Sequence, residues 1–214
     1  MARQARRIKI RDKQRTKQKL INAVGKILCK EGYTAIRINK IAEVAKVNKK
    51  LIYDYFKGLD GLTKAYLEQV DFWSLEKSKA LGNPPIVDLS KDKVFSILKN
   101  DFEYFQNSVE MQKIIVWSLS EKNKSIRALQ DSREEYGREL FQISDKIFQG
   151  SGIDFRAVNA IFVSAIYYMV LHVKSNGGNI CEIDVLTSEG RDRIFKTINQ
   201  ILEWCYNATN KPSG

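Results

Sequence analysis

Apolar residues recur along this chain at helical spacing, and no stretch holds the sustained apolar and polar alternation of a half-buried strand. Leu20, Val24, Ile27 and Leu28 follow the spacing i, i+4, i+7, i+8 and predict a first helix over roughly Thr16 to Lys30, with Gly32 placed for a left-handed C-terminal cap. Asn39 is expected to cap a short second helix whose Ile41, Ala42 and Ala45 face inward. Lys46, Val47 and Asn48 make a turn. The Asn48 side chain then caps a third helix, Lys49 to Phe56, which Ile52 and Phe56 tie to the small core. This phasing leaves Lys49, Lys50, Leu51, Tyr53, Asp54 and Tyr55 off the core side.

Longer helical stripes follow. Leu62, Tyr66, Val70 and Trp73 share a face, and the run Gly82, Asn83, Pro84, Pro85 ends that segment. Ser90 is placed to cap a helix with Val94, Phe95, Leu98, Phe102 and Phe105, and a shorter apolar segment spans Met111 to Leu119. Ser125 to Gln149 reads as a long amphipathic helix. Asp154 caps the next one, Phe155 to Lys174, which is apolar nearly all round and expected to be buried on most sides. Ile194, Ile198, Ile201, Leu202 and Cys205 mark a last helix, roughly Glu189 to Tyr206. The fold class is all-α.

Charge divides this helical string unevenly. Residues 1–58 hold 17 Lys and Arg against 4 Asp and Glu, whereas residues 59–214 hold 19 against 21. The step at Gly58 suggests two domains, a basic head over 1–58 and a larger body over 59–214, and the basic head is suited to a polyanion. Met1 to Lys19, with 9 basic residues and almost no apolar ones, is expected to begin as a mobile arm drawn to phosphates.

Enzyme chemistry finds no site. The chain has 1 His and 3 widely spaced Cys, no glycine-rich phosphate loop after a strand and no HExxH, so no catalytic residue, metal or cofactor is nominated. Glu134 and Glu135 are neighbours on a helix and do not face a common point. Cys29, Cys181 and Cys205 read as buried, reduced thiols of a cytoplasmic protein, and no apolar signal core follows the basic N-terminus. The nearly apolar run Ala160 to Val173 falls short of the ~18 residues that span a bilayer, so no membrane partner is expected.

The run GYTAIRINKIAEVAKVNKKLIYDYF, Gly32 to Phe56, resembles the N-terminal signature of TetR-type transcriptional regulators, matching at Gly32, Tyr33, Ile41, Ala42, Ala45, Val47, Ile52, Tyr53 and Phe56. The resemblance covers about the first third of the chain, with only the architecture matching beyond. It implies a three-helix helix-turn-helix DNA-binding domain followed by a helical domain that binds a small molecule and dimerises through its last two helices. Lys46 stands where that family usually has glycine, at a cost of roughly 1 kcal/mol if its backbone is left-handed. Leu59 replaces a frequent phosphate-contacting lysine.

The resemblance assigns DNA contacts to Arg37, Asn39, Lys49, Lys50, Leu51, Asp54, Tyr53 and Tyr55, with Asn48 opening the reading helix. An aromatic set, Phe102, Phe105, Trp117, Tyr136, Phe141, Phe162, Tyr167, Tyr168 and Met169, is the candidate lining of an apolar effector pocket. The expected function is a homodimeric repressor on a near-palindromic operator of double-stranded DNA, released by a small, largely apolar molecule. Two other classes stay open: an architectural DNA-binding protein that uses charge alone, and a dimeric small-molecule binding or catalytic module whose basic head meets RNA or a membrane surface.

Overall fold

The computed structural model describes residues 2–70 and 89–209, apart from the side chains of residues 2–11, Tyr136, Glu139 and Asn176. Trp73 and the Gly82 to Pro85 break lie outside the described residues. Among those residues the chain forms nine α-helices and one 3-10 turn: α1 Ala2–Glu31, the turn Tyr33–Ala35, α2 Ile38–Ala45, α3 Lys50–Phe56, α4 Leu59–Val70, α5 Lys91–Asn107, α6 Val109–Ser120, α7 Lys124–Phe148, α8 Phe155–Asn176 and α9 Ser188–Thr209. Extended pairing among the described residues is limited to one isolated bridge, Ile180 with Ile183.

The chain divides into two compact units that do not follow the charge step at Gly58. The first unit holds α1 to α4, α6 and α7 as far as Arg133, and the second holds α5, the rest of α7, α8 and α9. In the first, Leu20, Val24, Ile27 and Leu28 of α1, Ile41 of α2, Ile52 of α3 and Leu62 and Leu67 of α4 are all at most 1% exposed, so one core fixes the four helices together. Tyr66 is buried beside them and donates its hydroxyl to Glu110 Oε1 at 3.1 Å.

Helix α1 starts at Ala2, well before Thr16, so the expected mobile arm is helical. Arg, Lys, Gln and Ala are strong helix formers, and a helix already nucleated by its packed part extends through them at little cost. Gly32 has a positive φ of 83° but ψ of 175°, a region essentially reserved for glycine rather than a left-handed cap. The cysteine expectation also needs correction: Cys29 is half-buried and Cys205 buried, where burial raises both thiols above their ordinary range, but Cys181 is exposed.

In the second unit α5 buries Val94, Leu98, Phe102 and Phe105, and α9 buries Phe195, Ile198, Leu202 and Cys205. Phe102 meets Phe195 edge-on at 5.2 Å and Phe105 meets Tyr167 at 4.5 Å. Phe148, Phe155 and Tyr206 form a further aromatic cluster, with Phe148 stacked on Phe155 at 4.2 Å. Helix α8 begins as expected, with the Asp154 Oδ1 accepting from the Ala157 N–H at 3.0 Å.

Helix α8 is buried on one stripe only: Phe155, Phe162, Ile166, Val170 and Val173 are inside, while Ile161 is 66% and Tyr168 62% exposed. Its span Phe155–Ser175 is, among the described residues, the one helix long and apolar enough to cross a membrane, more than the shorter run read from sequence. The buried stripe packs α8 against its unit, and the other side of the helix is open in the single chain.

Candidate nucleic-acid interface

Helix α3 is positioned at both ends by backbone chemistry. Helix α2 closes on Lys46, which is left-handed at φ 54° and ψ 49°; its N–H reaches Glu43 O at 3.1 Å and the next N–H, of Val47, reaches Ala42 O at 3.1 Å. These are the paired bonds of a Schellman turn, which normally places glycine at the left-handed residue. Asn48 Oδ1 then accepts from the Lys50 N–H at 2.8 Å, as its place before α3 predicts. At the far end Lys57 is also left-handed, at φ 66°, and its N–H bonds to Tyr53 O at 3.0 Å. Ile52, fully buried in the core of the first unit, helps seat α3, which packs against α4.

Arg37, Asn39, Asn48, Lys49, Lys50, Tyr53 and Asp54 are exposed around this element, with Tyr53 at 52%. Leu51 and Tyr55 are not free: both are half-buried and pack against the core of the head. A seven-residue helix has room for a buried side wider than one row, and these two residues flank Ile52 at i−1 and i+3. The N-cap of α2 is Arg37, with extended backbone, so Asn39 lies inside the first turn and is not the cap. Leu59 likewise packs against the core.

Asn39, Glu43, Lys46, Asn48 and Lys49 line one open concavity, and Glu31, Arg37, Asn39 and Lys40 border another. The negative charge there is partly answered, since Lys40 Nζ sits 3.2 Å from Glu31 Oε1. Two basic residues that the sequence reading left in the arm belong beside this surface. Lys13 Nζ lies 5.3 Å from the Tyr55 ring centroid and Lys17 Nζ 5.7 Å from that of Phe56. Their i, i+4 spacing was the available signal.

The aromatic set does not form one lining. Trp117 belongs to the first unit, where it is buried and stacks on Tyr33 at 5.8 Å. In the second unit Phe102, Phe105 and Phe162 are buried and Tyr167 and Met169 half-buried. Phe141 lies under the Arg156 guanidinium at 5.3 Å, and Tyr168 faces solvent next to His172, 5.7 Å between ring centroids. The Tyr136 side chain lies outside the described residues.

No protein-family profile matches the chain. It is 36% identical over 69 residues to the HTH-type transcriptional repressor NicS of Pseudomonas putida, a stretch that spans 31% of this chain and 32% of that repressor. Three solved structures share the fold. A putative fatty acid metabolism regulator of Clostridium perfringens superposes with a TM-score of 0.61 at 16% identity, over 85% of this chain and 97% of its own. NalD, the secondary repressor of the MexAB-OprM multidrug efflux pump in Pseudomonas aeruginosa, gives 0.55 at 14% identity, over 91% and 96%. The transcriptional regulator FadR of Bacillus subtilis, in complex with stearoyl-CoA, gives 0.56 at 17%, over 86% and 96%. The chain thus shares its fold with these three regulators, and a stretch of 69 residues is similar in sequence to NicS.

Proposed function

We propose that the chain is a transcriptional regulator, not an enzyme, which binds duplex DNA as a homodimer with one α3 in each of two major grooves of a near-palindromic operator. The observation that carries this reading is a rigidly seated short helix with a charged, exposed side: Lys50 and Tyr53 on α3, and Lys49 just before it, are exposed while Ile52 is fully buried. A major groove ~12 Å wide admits such a helix. Arg37, Lys49 and Lys50 suit guanine edges or phosphates, Asn39 suits adenine, the Tyr53 hydroxyl suits phosphate, and Asp54 accepts from a cytosine amino group. The sequence relative and the fold neighbours support a regulator, and the names of NicS and NalD support repression.

A homodimer follows from geometry, since one short helix reads too few bases and a fixed pair sets half-site spacing near a multiple of ~34 Å. Ile161 and Tyr168 on α8 and Trp204 on α9, each more than 60% exposed, supply apolar surface for that pairing through the last two helices. The effector is a small, largely apolar molecule held among Phe102, Phe105, Phe162 and Tyr167, a reading supported by the stearoyl-CoA complex of the Bacillus subtilis regulator. Coupling of ~1–3 kcal/mol releases the operator by roughly 5- to 150-fold. Such a regulator works where the chromosome lies, in the cytoplasm.

Selection of duplexes from a random pool followed by footprinting tests the reading. Two protected major-groove patches one turn or a whole multiple apart are expected, with acyl-chain ligands weakening the complex. A protein that binds every duplex alike and shows no paired footprint contradicts it.

A further inference from the structure

Among the described residues four other than glycine have a positive φ, and two of these, Lys46 and Lys57, stand at the two ends of α3. Elsewhere in the same unit glycine fills such positions, as at Gly32 and Gly58. Glycine takes a left-handed backbone freely, whereas a side chain there crowds the following carbonyl oxygen. Strain kept where glycine would remove it points to a use for the side chain.

Lys46 has the position for one. Ala45 before it is buried and Val47 after it packs on the core of the first unit, so the turn holds the lysine outward and exposed. With Asn39, Glu43, Asn48 and Lys49 it lines the open concavity between α2 and the start of α3, whereas Lys57 borders neither of the two concavities of the head. That lining sets two lysines against one carboxylate and adds two side-chain amides. It suits an anion that accepts several hydrogen bonds.

The geometry points to a further DNA contact at a position that backbone conformation alone would give to glycine: Lys46 holds a backbone phosphate beside the groove that α3 enters. This rests on the reading of α3 as the element that meets DNA. A phosphate is the partner and not a base edge, because Lys46 precedes α3, and an ammonium on a flexible stem binds phosphate as a point charge. Such a contact fixes register and affinity and carries no sequence information. Stability and binding are thereby opposed at one residue.

Three variants separate charge from turn geometry: Lys46→Arg keeps charge and side chain, Lys46→Gln keeps only an uncharged side chain, and Lys46→Gly removes both. Lys113→Gln makes the same charge change at an exposed site on α6 of the same unit, away from the concavity. Thermal unfolding checks that each protein is folded, and affinity for the operator and for a random duplex is then measured against salt. With one phosphate per protomer at ~0.9 each, Lys46→Gln and Lys46→Gly lower the slope of log K against log salt by about 2 for the dimer and weaken both duplexes by the same factor. Lys46→Arg follows the parent, and Lys113→Gln moves the slope less than half as far. A Lys46→Gly protein with the parent's affinity and slope overturns the contact. So does a loss confined to the glycine variant, which belongs to the turn and not to the charge, or an equal loss in Lys113→Gln. Failure of the duplex reading looks different: the unmodified chain then shows no operator preference, and Lys49→Ala with Lys50→Ala changes nothing.

Discussion

Replacing Lys46 by glycine tests the turn on which the spacing of α2 and α3 depends. Lys46 is exposed and left-handed, so its side chain loses no burial on removal, while its backbone carries the strain. A left-handed residue with a side chain costs roughly 1–2 kcal/mol, and the extra freedom of glycine in the unfolded chain offsets roughly 0.5–1 kcal/mol of the relief. The net gain is about 0.5–1 kcal/mol. For a chain of this size that raises the melting temperature by ~1–4 °C, at ~2–4 °C per kcal/mol. Lys46→Ala removes the same charge but keeps the strain, and is expected to melt no higher than the parent. Thermal unfolding of the three proteins in one buffer decides it. If the glycine and alanine variants melt together, the turn is not left-handed and the placement of α3 has to be redrawn.

Three further outcomes follow from named contacts. A Cβ at Gly61 would stand 1.8 Å from the Phe56 carbonyl oxygen, which is backbone and cannot swing aside, so Gly61→Ala loses about 3 kcal/mol in urea unfolding; parent-like stability contradicts the close α3 to α4 approach. The Arg156 guanidinium, bonded to both Asp145 carboxylate oxygens at 2.6 and 3.0 Å, holds that carboxyl below the ordinary aspartate range. A folded-state value below the unfolded ~3.9 means the pair's support is present at neutral pH and lost as pH falls through the depressed value; Arg156→Gln raises the Asp145 midpoint seen by NMR, and an unmoved midpoint refutes the pairing. Ile161→Glu with Trp204→Glu gives monomers by light scattering and weakens operator binding, whereas an intact dimer removes the α8 and α9 face from the account.

The head was readable because its stripes are local. Leu20, Val24, Ile27 and Leu28 fix the phase of α1, and Asn48 caps α3 through a bond to a residue two positions away. Asn39 misled because a good capping residue sits two positions after the true N-cap, Arg37, and propensity does not set backbone dihedrals. Leu51 and Tyr55 were placed outside because seven residues are too few for periodicity to define both edges of a buried side. The pairing of Trp117 with Tyr33 joins positions far apart in the chain and leaves no periodic trace. On α8, apolar residues all round predict burial on most sides, but the pattern marks which positions avoid water and not what covers them; within the single chain Ile161 and Tyr168 are left exposed. The early start of α1 escaped notice because charged helix formers carry no packing signal.

The most direct test of α3 as the DNA-reading element is the ratio of operator to random-duplex affinity for the parent and for Lys49→Ala with Lys50→Ala, at one fixed salt concentration. Specific binding typically exceeds nonspecific binding by ~10³ or more, and loss of two base-edge lysines at ~1–3 kcal/mol each should collapse most of that ratio while the fold is kept. A ratio that survives the double substitution would place sequence reading elsewhere in the molecule.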